Sequence, residues 1–100
     1  MGEEASGELQ IYSVEGSGGA VATCIVRCVG GVVRVGQQFR TRPTGDVTGD
    51  PVLLNLDWIN CYETMMDFLH PPYGAVVQLS GSGVESLKRG VILASIANGE

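Results

Sequence analysis

The chain has 100 residues, 44% of them hydrophobic and 17% charged, and a formal net charge of −5 at pH 7. That is enough for one small core and too apolar for a disordered segment, while six Lys plus Arg against eleven Asp plus Glu exclude a surface built to grip a phosphate backbone such as DNA. Fifteen glycines without a period mark turns between many short strands.

Residues 1–7, MGEEASG, are small, polar and acidic, a predicted tail that frays. Leu9, Ile11, Tyr12 and Val14 predict a first strand over 8–14, ended by a loop through Gly16, Gly18 and Gly19. A second strand over 20–29 puts Ala20, Ala22, Cys24, Val26 and Cys28 on one face, small enough for the interior of a narrow barrel. Arg27 marks the other face as wet. Gly30 and Gly31 read as a tight hairpin turn into a short strand over 32–35, because paired glycines accept the positive φ angles such turns require. Residues 37–42 alternate Phe39 and Thr41 against Gln38, Arg40 and Arg42, and 43–51, PTGDVTGDP, is an exposed loop by composition.

From Val52 the pattern has period two, with Val52, Leu54, Leu56 and Trp58 on one side, before the apolar phase passes to Ile59 and Cys61. Such a slip predicts a bulge or strong bend. Residues 60–70, NCYETMMDFLH, admit two readings. Asn60 with Glu63 as a capping box, and Met65/Leu69 and Met66/His70 at helical spacing, give a short helix ending before Pro71; otherwise the segment is extended. After Pro71 and Pro72 come a strand over 75–79, a turn at Gly81 and Gly83, one helical turn within 84–89 and a last strand over 91–96. About seven short strands, with no helix long enough to cover a sheet, predict an all-β fold: a small closed antiparallel β-barrel of six to seven strands, since closure removes exposed edges. The expected domain spans 8–97, with 98–100 flexible.

The sequence offers little chemistry. It has no Gly-x-x-x-x-Gly-Lys-Ser/Thr loop and no Cys-x-x-Cys pair. Cys24 and Cys28 lie roughly 13 Å apart along one strand, too far for a disulfide, so the three cysteines read as buried free thiols in a reducing cytoplasm. No apolar run approaches the ~18 residues of a membrane span. His70 reads as a bystander before two prolines, Ser82 as a turn residue, and Asp46, Asp50, Asp57, Glu63 and Asp67 as a solvated surface. Hence no catalytic, cofactor or metal site is expected, and no enzyme activity. Two constellations remain. Arg34, Arg40 and Arg42 are candidates to hold a phosphate or carboxylate on neighbouring strands. Tyr62, Met65, Met66, Phe68 and Tyr73 are either a buried plug of the barrel or, if exposed, a protein-docking surface.

A resemblance accompanies these readings. The order Gly16-Ser17-Gly18, a Val-rich strand, glycine, then Val33-Arg34-Val35-Gly36 resembles domain 2 of translational GTPases of the elongation-factor-Tu type. LHPPYGAVVQLSG is similar to a further segment of that family, and Arg89, Gly90, Val91, Leu93 and Ala94 resemble its ending most specifically. The similarity runs over roughly 9–95 and implies a small closed barrel in which 60–70 is an extended strand with a turn-back. In that family the barrel sits beside a GTP-binding domain, performs no chemistry, and in the Tu type helps hold the aminoacyl end of tRNA; in other members it contacts ribosomal RNA and protein. This chain departs from the pattern: Ser17 stands where the loop has arginine, and Asn60 and Gln37 stand where acids are usual. The turn before Val32 is also one residue longer. The expectation is a noncatalytic binding module that docks onto a protein partner or onto itself. The alternative is an RNA- or ribosome-binding accessory domain using Arg34, Arg40 and Arg42. DNA and membranes are not expected partners.

Overall fold

A computed structural model describes residues 7–42 and 52–96. The expected loop 43–51, the ends 98–100 and all of the expected tail except Gly7 lie outside the described residues. Gly7 itself is buried, and its N–H donates to Ser95 Oγ at 2.9 Å.

Nine strands follow one another: β1 (Glu8–Gly18), β2 (Val21–Gly30), β3 (Val33–Arg34), β4 (Gln38–Thr41), β5 (Leu53–Cys61), β6 (Thr64–Met66), β7 (Phe68–Leu69), β8 (Gly74–Ser80) and β9 (Ile92–Ser95). Six of them, in the order β4-β9-β1-β2-β8-β5, form antiparallel ladders, and β5 pairs back to β4 to close the barrel. β6 extends the sheet beyond β5, while β3 and β7 form a separate two-stranded ribbon. No α-helix occurs among the described residues; the turn predicted within 84–89 is a 3-10 turn, Val84–Ser86.

The core follows the alternation of the sequence, except that Ala20, expected on the inner face, is exposed in the turn before β2. Ala22, Cys24, Val26 and Cys28 are all buried along β2, while Ile25, Arg27 and Val29 face out. Phe39 and Thr41 point in from β4, and the Thr41 hydroxyl oxygen accepts the Val52 N–H at 3.0 Å, which satisfies a polar group otherwise costly to bury. On β5, Leu54, Leu56 and Ile59 are buried, and the β5–β8 register shifts between Leu56 and Trp58. This is the predicted phase slip; it leaves Trp58 half-buried rather than inside. At the same place Gln78 Nε2 and Ser80 Oγ donate to the Asp57 carboxylate at 2.9 and 3.0 Å.

Two expectations are corrected. The Gly30–Gly31 hairpin does not exist: β2 pairs with β1 and β8, and β3 pairs with β7. Glycines permit a turn without choosing what the next strand pairs with. The first strand also does not stop at Val14 but runs to Gly18, paired through Gly18↔Val21 and accommodating three register shifts, so the reversal falls at Gly19 with φ 60.

Cys24 and Cys28 are buried and Cys61 is half-buried, a departure from three buried thiols. Burial, reinforced by the Glu15 charge, pushes the Cys24 thiol up from 9.0 to about 11. The unfolded chain therefore releases this proton before the folded one does, and stability falls as pH rises through that window. A loss on the order of 2–3 kcal/mol is expected between pH 9 and 11. Urea midpoints should fall more steeply over that range for the wild type than for Cys24→Ala; equal slopes would refute the assignment.

Candidate docking site

The feature that sets the site is the β5–β6 hairpin. Its ladder pairs Asn60 with Met65 and Cys61 with Thr64, leaving Tyr62 and Glu63 as the two turn residues, with φ 54 and 65. Two successive positive φ angles belong to the tight hairpin turns whose twist matches that of the flanking strands. The capping-box helix is thereby excluded, and the extended reading of 60–70 holds. The turn carries Tyr62 to the tip, where it is 89% exposed, with Met65 at 60% beside it. Met66, on the other side of the strand, packs against the core.

Leu69 of β7 is buried opposite Val33, so Phe68 faces out, 40% exposed. The Pro71-Pro72 turn closes with the Tyr73 N–H donating to the His70 carbonyl at 3.0 Å, and the Tyr73 carbonyl accepts the Cys28 N–H at 2.9 Å. That second bond ties the loop to β2 and holds Tyr73 at the surface, 51% exposed. The His70 ring lies between its neighbours, stacked 5.9 Å from Phe68 and edge-on 5.0 Å from Tyr73. The plug reading therefore fails for Tyr62, Met65, Phe68 and Tyr73, and applies only to Met66. Residues this apolar normally face inward, but here a hairpin tip and a proline turn set their direction.

Two concavities flank this group. One, of about 280 Å³, is lined by Cys61, Tyr62, Met66, Phe68, Leu69, His70 and Tyr73. The other, of about 470 Å³, continues over the outer face of β1, β2 and β8 and includes Tyr12, Ile25, Arg27, Asn60, Pro72 and Val76. Tyr62 and Tyr73 line both. Inside the larger cleft the Arg27 guanidinium sits over the Tyr12 ring, 5.4 Å from its centroid. Asn60 Nδ2 donates to Met65 Sδ at 3.6 Å, at the exposed surface of the hairpin. Tyr12, Arg27, Asn60 and His70 were not singled out from the sequence as members of this group. Their assembly depends on the β1–β2 and β5–β8 registers, and only Arg27, on an otherwise apolar strand, left a trace.

The three arginines are arranged differently. Arg40 is exposed on β4, between Leu53 and Ala94. Arg42 lies on the same side just beyond that strand, and its Nη1 donates to the Glu8 carboxylate. Arg34 belongs to the β3–β7 ribbon and is not a ladder neighbour of β4; its N–H donates to the Gln37 side-chain oxygen at 2.9 Å. Gln37 thus stabilises the turn from which an acid is usual in the resembled family.

Of the carboxylates named above, Asp46 and Asp50 lie outside the described residues. Among the described residues no three His, Cys, Asp or Glu side chains converge as metal ligands, and no helix is long and apolar enough to cross a membrane.

No protein-family model matches this sequence, and no curated protein matches it. Among solved structures the chain is similar to translation elongation factor SelB from Methanococcus maripaludis in its apo form, with a TM-score of 0.75 and 16% sequence identity. That match covers 90% of this chain and 19% of the SelB chain. The chain is a closed antiparallel barrel of the kind found as a domain within a translation factor. At such low identity the shared property is the fold.

Proposed function

We propose that this barrel is a noncatalytic docking module that captures a protein partner, or a second copy of itself, on the face around Tyr62 and Tyr73. The observation that carries the reading is the exposure of Tyr62, Met65, Phe68 and Tyr73 around two adjoining concavities. Aromatic and methionine side chains are enriched at protein interfaces, because each buries a large area at modest entropic cost. A rigid barrel presents them without the ordering penalty of a flexible loop. The RNA- or ribosome-binding alternative has weaker support: Arg34 lies in a different sheet from Arg40, and Arg42 shares its charge with Glu8.

A photo-crosslinking amino acid at position 62 or 73, compared with one at the exposed Glu85, tests the proposal in the cells that make the protein. Discrete crosslinked protein species are expected from positions 62 and 73 and not from 85. A species of twice the chain's own mass would identify self-association. Identical patterns from all three positions, or crosslinks to RNA alone, would contradict it.

A further inference from the structure

We infer that the segment this face captures is an extended, proline-bearing peptide carrying an acidic side chain, with proline against Tyr62 and Tyr73 and the carboxylate at Arg27. The inference rests on the docking reading above and specifies its partner class. Two observations carry it.

The first is charge. In a protein of net charge −5, the larger cleft has a single charged lining residue, and it is an arginine. Arg27 is anchored over Tyr12, so its guanidinium is already positioned before a ligand arrives. A carboxylate is the complementary group. A nucleic-acid backbone would need several cations in one track, and the cleft offers one.

The second is shape. Two concavities that share two exposed tyrosines, Tyr62 and Tyr73, suit a ligand that lays successive flat groups against their rings. A polyproline-type segment does this: it has three residues per turn, and its ordering cost is low because the conformation is preformed. Flat phenol rings pack against proline, and their hydroxyls can donate to the carbonyls that such a segment leaves without internal partners.

The test is an NMR titration of the isotope-labelled full chain with an acetylated, amidated peptide, Ala-Pro-Pro-Asp-Pro-Pro-Glu-Ala. Its comparators are the same peptide with every proline replaced by alanine, the same peptide with Asn and Gln for Asp and Glu, and an RNA stem-loop. Saturable shifts are expected at the amides of residues 25–27, 60–62 and 73–76. Loss of the prolines or of the acids should weaken binding by about fivefold or more. Arg27→Gln should weaken the acidic peptide and leave the Asn/Gln peptide unchanged, with the remaining spectrum showing that the barrel is intact. Equal binding of the alanine peptide, shifts elsewhere, or tighter binding of the RNA at these amides overturns the inference. Absence of peptide binding while crosslinks from positions 62 and 73 persist removes the peptide class and leaves the docking reading standing. Absence of both removes the two together.

Discussion

Phe39→Ala should lower the stability of the barrel by about 3–5 kcal/mol, the cost of deleting a buried aromatic ring and leaving a cavity. Phe39 is 0% exposed and among the largest fully buried side chains. It pairs with Leu54 of β5 on one side and Ser95 of β9 on the other, so it fills the seam where β4 closes the barrel. For a domain of this size the total is about 5–15 kcal/mol, and each kcal/mol corresponds to about 4–8 °C. A fall of more than about 12 °C in the thermal midpoint is therefore expected. Arg40→Ala, one residue away on the exposed side, should stay within about 0.5 kcal/mol. Similar midpoints for the two variants would show that Phe39 does not hold the seam.

Gly81→Ala is the second large effect expected, about 2–4 kcal/mol. Gly81 has φ +146, where an L side chain is strained, and an added Cβ would lie 2.7 Å from the Leu53 carbonyl oxygen and 3.1 Å from Leu54 Cδ2. The residue cannot back away easily, because its N–H donates to the Ala20 carbonyl at 2.9 Å. It is held between the start of β5 and the β1–β2 turn. Gly16 is the control: a Cβ there meets nothing within 4 Å, so Gly16→Ala should be nearly neutral. Urea unfolding of the two variants separates a required glycine from a tolerated one, and comparable losses would overturn that distinction.

The barrel was legible because its signals are local. The alternation from Ala22 to Cys28 and the phase slip after Leu56 each follow from period-two patterning, which reports the buried face wherever a strand lies. Strand partners were less legible. Gly30 and Gly31 mark the end of β2 correctly, but which strand β3 meets is fixed by Leu69 packing opposite Val33, a contact across more than thirty residues of sequence. Glycines at 16 and 18 looked like loop and instead continue a strand, since they face solvent and a missing side chain there costs no packing.

The candidate site was half legible. Composition picked out Tyr62, Met65, Met66, Phe68 and Tyr73, yet their direction depended on a turn in which Tyr62 and Glu63, neither a glycine, adopt positive φ. No sequence preference announces that. Likewise Arg27 was visible as an outward residue and Tyr12 only as part of a strand, and their place in the same cleft as Tyr73 follows from register alone. For the arginines, sequence spacing put Arg40 and Arg42 on one side of β4, and the ribbon formed with β7 took Arg34 elsewhere.

We propose that the exposed hairpin face binds and does not support the fold. It is tested most directly by the double variant Tyr62→Glu with Met65→Glu, carrying the photo-crosslinker at position 73. Both side chains are exposed, so the thermal midpoint should stay within about 2 °C of the wild type while the crosslinked species disappear. Crosslinks that persist unchanged, or a midpoint that falls as far as that of Phe39→Ala, would contradict the account.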